Sequence, residues 1–251
     1  MELSGKVAFV TGGSGDIGGA IAHALAAGGA DVAISYIGAD DRAAVAVAGI
    51  RNAGRRSTAV SLDQRQPSSI DAAVAAVIKE FGRLDILVNN AAWNIGIPFA
   101  DLDALTPEIW DRVMETDLRG PFLLARASAR HLRANGAGRI VNIASLAGIY
   151  PAGSSIAYAA AKAGLIHLTR CLAVSLAPAV TVNSIAPGLV PGTRMSQNLP
   201  DEVVQAVRKQ VVLGRTATAQ DIATQAVTFC RADSVTGQVL VIDGGLPGGM
   251  H

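Results

Sequence analysis

The chain has 251 residues, of which 50% are hydrophobic and 16% charged, and its formal net charge at pH 7 is +1. This balance of charge, without a long basic segment, argues against a nucleic-acid partner. No uninterrupted apolar run is long enough to span a membrane, and the stretch "MELSGKVAFV" lacks the pattern of a secretory signal. We therefore expect a cytoplasmic globular protein without a membrane or nucleic-acid partner.

Short apolar runs alternate with helix-like segments along the whole chain. The runs are "KVAFVT", "DVAISY", "STAVSL", "DILVNN", "RIVNIAS", "VTVNSIA" and "QVLVID", which are rich in β-branched residues and bounded by Gly, Asp or Asn. Alternation with short connections predicts an α/β fold, a doubly wound parallel sheet with helices on both faces. No linker or repeat interrupts the pattern, so we expect a single Rossmann-type domain over residues 1–251.

The first of these runs leads into "TGGSGDIG" and then into an amphipathic helix that Gly28 and Gly29 end. Gly12 permits a tight turn, and the absence of side chains lets backbone N–H groups approach a diphosphate at the helix N-terminus. This context predicts a dinucleotide-binding loop. Asp16 places a carboxylate inside the loop, and because Asp is a good helix N-cap we interpret it as a cap turned away from the phosphates.

The cysteines and histidines give no sign of a metal site. Cys171 and Cys230 are far apart and lack metal-binding spacing, so we expect two reduced core residues. The histidines have no second ligand at usable spacing, and no metal is predicted.

Three polar residues in the second half of the chain suggest carbonyl chemistry. Tyr158 and Lys162 of "YAAAK" lie one helical turn apart, so the ammonium group can lower the phenol pKa from its usual value near 10. Lys162 could also reach the ribose hydroxyls of a dinucleotide. Ser145 ends "RIVNIAS" at the carboxyl edge of a strand, where its hydroxyl can polarise a carbonyl oxygen.

In this order, "TGGSGDIG", "NNAA", "IVNIAS" with "YAAAK", "APG" and "TGQVLVIDGG" resemble the short-chain dehydrogenase/reductase family over nearly the whole chain. The resemblance implies a seven-stranded parallel sheet, a nicotinamide cofactor and the interconversion of a ketone and a secondary alcohol. It implies Tyr158 as general acid/base, Ser145 as the residue that orients the carbonyl, and Lys162 as the group that lowers the tyrosine pKa and binds ribose. Family members usually form homotetramers through two long helices, here within 107–134 and 155–177.

The resemblance also suggests which residues contact the cofactor, with Asp63 at the adenine. The predicted contacts are Gly12, Ser14, Ile17, Gly18, Ser35, Tyr36, Asp63, Asn90, Lys162, Pro187, Gly188, Val190 and Thr193. The second strand ends without the acidic residue that would hold a ribose 2′-hydroxyl, because Asp40 and Asp41 come too late. Arg42 is the nearest cation for a 2′-phosphate. We therefore favour NADP(H), with NAD(H) as the alternative.

Two features depart from the family's pattern. The family has an asparagine that helps to hold a water relay to the lysine, but "METDLRGPF" has Asp117 there. Its carboxylate would offset part of the field of Lys162, so we include Asp117 among the catalytic residues; a purely structural role is the alternative. "PGLVPGTRM" carries an extra residue before Thr193, and we expect residues 189–212 to cover the substrate.

The candidate pocket is mostly apolar, which suits a small or medium ketone better than a phosphorylated sugar. Its predicted walls are Trp93, Ile95, Leu146, Tyr150, Leu189 and Met195, with Ser145 and Tyr158 at the reacting end. The closest resemblance is to 3-oxoacyl-carrier-protein reductases. These tend to have basic residues before "GRI" and "TVN", where this chain has "NGAG" and "PAV", although Arg126, Arg130 and Arg133 could compensate from one helix face.

Two other functions stay open at this point. One is an NAD-dependent dehydrogenase of a sugar, polyol or other alcohol. The other is a nucleotide-binding subunit that has lost catalysis, against which the intact Ser145, Tyr158 and Lys162 argue.

Overall fold

A computed structural model describes residues 1–38, 41–197 and 201–247, and its seven strands form one parallel sheet. The strands are β1 (Val7–Val10), β2 (Asp31–Tyr36), β3 (Ser57–Ser61), β4 (Ile86–Asn89), β5 (Gly138–Ile143), β6 (Val180–Pro187) and β7 (Val239–Ile242). Their order is β3-β2-β1-β4-β5-β6-β7, with parallel pairing throughout. Each strand coincides with one of the seven apolar runs, except that β5 begins one residue before its run, at Gly138, and β6 ends one residue after its run, at Pro187. The predicted fold class is confirmed.

Eight α-helices connect the strands in the described part of the chain. They are α1 (Asp16–Ala27), α2 (Asp41–Asn52), α3 (Pro67–Phe81), α4 (Pro107–Met114), α5 (Gly120–Ala134), α6 (Ile156–Leu176), α7 (Asp201–Gln210) and α8 (Ala219–Arg231). A π-helical turn, Glu115–Arg119, joins α4 to α5, and a 3-10 turn, Leu146–Gly148, precedes α6. The two helical regions predicted to carry the oligomer interface are therefore helical.

The sheet is covered on both faces because its strands alternate their side chains between two apolar layers. In β1, Ala8 and Val10 belong to the layer that includes α1 and α8, whereas Val7 and Phe9 belong to the layer that includes α3, α5 and α6. All four are essentially inaccessible to solvent. Consequently both faces of β1 are closed to a ligand, and its carboxyl end is the part that a ligand can reach.

The strand order reverses between β1 and β4, and the structure ties the carboxyl ends of these two strands together. The Thr11 hydroxyl donates to the Val88 carbonyl at 3.3 Å and accepts the backbone N–H groups of Asn90 and Ala91, each at 3.0 Å. In doubly wound sheets this reversal point is where ligands bind.

The interpretation of Asp16 as an N-cap is wrong. Gly15 is the N-cap of α1, and Asp16 is its first helical residue. Instead, Asp16 Oδ2 accepts the backbone N–H of Arg194 at 2.8 Å, so the side chain turns toward the chain after β6.

One of the two cysteine predictions is also wrong. Cys230 is buried in α8, and burial raises the pKa of its thiol to about 12. Cys171 lies on the outer face of α6 and is exposed.

By length and composition alone, helix α6 is long and apolar enough to cross a membrane. It carries Lys162, His167 and Arg170, and 44% of its most apolar window is buried in the protein. These are properties of a core helix, and its buried side packs on the sheet and on the turn that precedes it.

Candidate active site

The loop after β1 has the shape of a phosphate cradle that only glycine can form. Gly12 has φ +63°, and a Cβ on Gly18 would lie 2.3 Å from the Gly12 carbonyl oxygen and 2.5 Å from Asn90 Nδ2. Both positions therefore require glycine. The loop leads directly into the N-terminus of α1, whose free N–H groups and positive dipole end favour an anion. These residues fit the diphosphate of a dinucleotide.

A cleft of about 840 Å³ opens at this loop, and we name it the glycine-loop cleft. Its volume lies within the range of about 300–1,000 Å³ that is usual for ligand sites. Its lining includes Gly12, Ser14, Gly15, Asp16, Ile17, Gly18, Tyr36, Ile37, Asp41, Arg42, Leu62, Asn90, Trp93, Thr193 and Arg194. Seven of the predicted cofactor contacts lie in this list: Gly12, Ser14, Ile17, Gly18, Tyr36, Asn90 and Thr193.

Two predicted cofactor contacts have other partners. Ser35 is buried beneath the loop, and its hydroxyl accepts the Gly12 N–H at 3.0 Å, so its contact with a cofactor stays a prediction. Asp63 forms an ion pair of 2.7 Å with Arg65. Hydrogen bonding from Arg65 holds the pKa of the Asp63 carboxyl below its usual range.

The structure also corrects the expectation that Asp41 comes too late in the chain to lie near the end of β2. Asp41 and Arg42 begin α2 and both line the cleft beside Tyr36, so Asp41 does not lie beyond it. Asp40 lies outside the described residues. A carboxylate and a guanidinium therefore both lie beside Tyr36 in the lining of the cleft.

A second cavity, of about 430 Å³, adjoins the glycine-loop cleft, and we name it the tyrosine cavity. Its lining includes Asn90, Asn94, Ser145, Leu146, Ser154, Tyr158, Lys162, Pro187, Gly188, Leu189, Val190, Thr193, Met195, Ser196, Val207 and Gln210. It thus brings together Ser145, Tyr158 and Lys162, as predicted. Both the 189–197 region and α7 contribute to its wall, while residues 198–200 of the predicted cover lie outside the described residues.

Three predicted wall residues of the pocket are placed elsewhere. Trp93 lines the glycine-loop cleft instead, and the Arg112 guanidinium stacks on its ring at 4.0 Å. Ile95 and Tyr150 are not among the described residues that line either space. Tyr150 belongs to the tight turn after Leu146, whose carbonyl accepts the Tyr150 N–H at 3.0 Å.

Local capping places Tyr158 in the first turn of α6. The Ser155 hydroxyl accepts the backbone N–H of Tyr158 at 3.2 Å and caps the helix. The 3-10 turn packs so tightly on α6 that a Cβ on Gly148 would lie 2.6 Å from the carbonyl carbon of Lys162. The Ser145 hydroxyl accepts the Ala147 N–H at 3.1 Å at the start of that turn. Ser145 is thereby held against the helix that carries Tyr158 and Lys162.

Lys162 is buried, with 2% of its surface exposed, and its ammonium group lies between three groups. Its Nζ donates to the Ile143 carbonyl at 3.1 Å, lies 3.4 Å from Asp117 Oδ2, and is 5.5 Å from the centroid of the Tyr158 ring. The positive charge therefore acts on both the phenol and the carboxylate.

Asp117 lies in the π-helical turn and is fully buried. Its Oδ1 accepts the Trp93 N–H at 2.8 Å, and its Oδ2 faces Lys162. Burial raises the pKa of the Asp117 carboxyl above its usual value, although Lys162 and the Trp93 N–H oppose this. The charge that replaces the family's asparagine thus lies within reach of the lysine.

Burial of the phenol raises the pKa of Tyr158 above its usual value and outweighs the other influences on it. Lys162 lowers this pKa, as predicted, and so does a hydrogen bond with Ser145, whereas the Asp117 charge raises it. The expected net lowering is therefore not found, although the contribution of Lys162 has the expected sign.

Several residues of the site carry no sequence signal that would have singled them out. Gln64 Nε2 donates to the Ala91 carbonyl at 2.9 Å and to the Thr116 carbonyl at 2.7 Å, which joins the loop after β4 to the turn of Asp117. Ser154 and Gln210 line the tyrosine cavity from distant parts of the chain. Only the fold brings such residues together.

Comparison with known proteins identifies the family. Residues 13–247 match the family model described as enoyl-(acyl carrier protein) reductase. The chain is 39% identical over 251 residues to a 3-oxoacyl-[acyl-carrier-protein] reductase from Vibrio cholerae, covering 98% of this chain and 99% of the relative. It belongs to the short-chain dehydrogenase/reductase family. A galactitol 2-dehydrogenase from Agrobacterium fabrum is 38% identical over 260 residues, with 98% of each chain covered.

Solved structures of family members match the whole fold. A short-chain dehydrogenase from Burkholderia cenocepacia in complex with NADP is 38% identical, with a TM-score of 0.89 and coverage of 98% of this chain and 99% of that one. An NAD⁺-bound xylitol dehydrogenase is 28% identical, also with a TM-score of 0.89, and the match covers 98% of this chain and 100% of that one. The chain is thus an NAD(P)-dependent oxidoreductase that interconverts a carbonyl group and an alcohol.

Proposed function

We propose that this enzyme is an NADP(H)-dependent reductase of a ketone, of the type that acts on 3-oxoacyl thioesters, with Tyr158 as the general acid/base. One observation carries the proposal. Ser145, Tyr158 and Lys162 meet in the tyrosine cavity, which shares Ile17, Asn90, Thr193 and Met195 with the glycine-loop cleft. A carbonyl in the cavity and a nicotinamide at the end of the cleft would then be neighbours.

In this mechanism, the nicotinamide supplies or accepts the hydride when the cofactor is bound in the glycine-loop cleft. The Ser145 and Tyr158 hydroxyls hold the substrate oxygen, and Tyr158 gives its proton to that oxygen as negative charge develops there. Lys162 stabilises the resulting phenolate and is itself oriented by the Ile143 carbonyl and Asp117. In the oxidative direction, the same phenolate takes the proton from the alcohol.

The character of the tyrosine cavity supports an uncharged substrate. Among the described lining residues, Lys162 is the charged one, and the mechanism already uses it. The Arg130 and Arg133 side chains donate to His131 Nε2 and the Ser175 carbonyl, each at 2.9 Å, so two of the arginines proposed for carrier-protein docking are engaged locally. This supports a small ketone or free thioester over one that must arrive on a carrier protein.

Oxidation of a polyol or other alcohol with NAD is the second candidate function. Asp41 in the lining of the cleft favours it, because a carboxylate there would hold a ribose 2′-hydroxyl and repel a 2′-phosphate. The similarity to a galactitol 2-dehydrogenase agrees with such a substrate. A subunit without catalysis is a weaker alternative, since the reacting side chains are assembled.

The proposal is tested by following nicotinamide absorbance with a panel of ketones and 3-oxoacyl thioesters, with NADPH and NADH side by side. The oxidative reaction is assayed in parallel with secondary alcohols and polyols. We expect ketone reduction that prefers NADPH. Polyol oxidation with NAD⁺ at the higher kcat/KM would establish the second candidate, and cofactor binding without turnover of any compound would favour the subunit without catalysis.

Cofactor preference is expected to depend on Arg42. Replacing it with glutamine removes the cation nearest to a 2′-phosphate, so KM for NADPH should rise about 5- to 50-fold, while KM for NADH changes little. The matched variant Asp41→Asn removes the negative charge from the same turn of α2 and should lower KM for NADPH. Steady-state kinetics with both cofactors measure this, and an equal effect on NADPH and NADH would contradict a role in phosphate recognition.

The pH dependence of the reaction is expected to reflect the Asp117 charge. Because that charge raises the pKa of Tyr158, the profile of kcat/KM for alcohol oxidation should lean toward alkaline pH. Asp117→Asn keeps an acceptor for the Trp93 N–H but removes the charge, so the ascending limb should move to lower pH, by about 0.5–1 unit. Profiles of kcat/KM from pH 5 to pH 10 measure the position of this limb. An ascending limb at the same pH in both enzymes would mean that Asp117 has a structural role only.

We also propose that the enzyme is a cytoplasmic homotetramer. The outer faces of α5 and α6 expose apolar side chains, with Phe122 at 42% and Val174 at 83% of their surface accessible. Packing a second copy on these faces would bury them, together with Cys171. Light scattering of the purified protein gives the mass that decides between monomer, dimer and tetramer.

A further inference from the structure

The 190–197 segment lies where the two binding spaces meet. Thr193 and Met195 line both the glycine-loop cleft and the tyrosine cavity, and Arg194 lines the cleft between them. Any ligand that occupies both spaces must pass or contact this segment. Its position therefore affects the entry and release of the cofactor and the substrate together.

The segment is compact because its own side chains hold it in one shape. The Thr193 and Ser196 hydroxyls both donate to the Val190 carbonyl, at 3.0 Å and 2.8 Å, and Ser196 Oγ accepts the Thr193 N–H at 3.1 Å. Both side chains are buried, with 8% of their surface exposed. Val190 packs in the core cluster that includes α1 and α8, so this end of the segment is fixed. Arg194 is exposed, so its end of the segment is the part whose position depends on a further contact.

One hydrogen bond attaches this unit to the glycine loop. Asp16 Oδ2 accepts the backbone N–H of Arg194 at 2.8 Å, across 178 positions of sequence. The other hydrogen bonds of the 190–197 segment, among the residues that the structure describes, are internal to it. The positive end of the α1 dipole favours a carboxylate in the first helical turn, which keeps Asp16 suited to this contact.

We propose that Asp16 is a positioning residue that holds the 190–197 segment closed over the cofactor. A carboxylate beside a diphosphate would otherwise weaken binding, and two features of the structure offset that effect. The Asp16 oxygen is engaged by Arg194 N–H, and the Arg194 side chain brings a positive charge to the same cleft. Asp16 therefore slows the release of the cofactor, and this role rests on the dinucleotide site of the proposed function.

The test compares Asp16→Ala, which removes the acceptor, with Asp16→Asn, which keeps an acceptor oxygen but removes the charge. In the cofactor-free protein, hydrogen exchange of the peptide that contains Arg194 should be faster in Asp16→Ala and close to wild type in Asp16→Asn. NADPH release, measured by stopped-flow displacement, should be about three- to tenfold faster in Asp16→Ala only, as expected for the loss of one hydrogen bond. Melting temperatures check that both variants are folded.

Two results would overturn the proposal. Unchanged hydrogen exchange in Asp16→Ala would show that the contact does not hold the segment. Tighter NADPH binding in both variants would show that the charge faces the phosphates and acts by repulsion. Because the exchange experiment contains no cofactor, its outcome stands even if NADPH does not bind, a result that would count against the proposed function instead.

Discussion

Tyr158→Phe should reduce kcat/KM for ketone reduction by about 10²- to 10⁴-fold, the usual contribution of a positioned general acid. The variant loses a single oxygen and keeps the ring, which packs among Val113, Ala147, Ala157 and Ala161. Phenylalanine has no group that can donate a proton to the substrate oxygen, so the chemical step itself should slow. The loss should therefore appear mainly in kcat, with cofactor affinity retained.

The controls separate chemistry from packing. Ser145→Ala removes the second hydroxyl but leaves the proton donor, so it should cost less activity than Tyr158→Phe. Tyr150→Phe makes the same chemical change at a tyrosine that does not line the described cavity, and its activity should stay close to wild type. A Tyr158→Phe enzyme with more than a tenth of the wild-type kcat/KM would rule out Tyr158 as the acid.

The sheet was predictable because its signal is local and repeated. Each apolar run of β-branched residues became a strand, and Gly28 and Gly29 end α1 where the apolar periodicity ends. Parallel pairing follows from the helix between each pair of strands. The location of Ser145, Asn90 and the glycine loop at one edge of the sheet therefore follows from local sequence patterns.

What could not be predicted is which way a side chain turns at that edge. Ser35 lies at the expected strand end, but its hydroxyl turns inward and accepts the N–H of Gly12. Trp93 follows β4 as expected, yet it lines the glycine-loop cleft, and Arg112, from a different helix, stacks on its ring. Such choices depend on partners that are near in space and distant in sequence, so local patterns do not contain them.

The same limit explains Asp16. A capping preference is a property of the residue and its neighbours, and it predicts a contact within the first turn. The actual partner lies 178 positions away, in the 190–197 segment, and only the folded chain offers it. The contact between Asp117 and Lys162, by contrast, was predictable from the resemblance. Asp117 stands where the family has an asparagine that helps to hold a water relay to the lysine.

The buried pair of Lys162 and Asp117 leads to the largest expected effect on stability. Lys162→Met removes the cation but leaves a carboxyl that is completely buried, so the free energy of unfolding at pH 7 should fall by about 3–5 kcal/mol. Asp117→Asn/Lys162→Met removes both charges and keeps the acceptor for the Trp93 N–H. The double variant should regain most of the lost unfolding free energy. The double-mutant cycle then isolates the interaction energy between the side chains of Lys162 and Asp117.

The deficit of Lys162→Met should depend on pH with a definite sign. Burial already raises the folded-state pKa of Asp117 above its unfolded value, and loss of the Lys162 charge raises it further. A carboxyl whose pKa is raised in the folded state stabilises the fold most at a pH where it is protonated in both the folded and the unfolded state. The loss of unfolding free energy in Lys162→Met should therefore be small below the unfolded-state pKa of Asp117, which is near 4, and should grow as the pH rises. Urea unfolding at several pH values measures this. A deficit that is the same at pH 4 and pH 8 would mean that lost packing of the lysine stem, and not an unpaired charge, destabilises the variant.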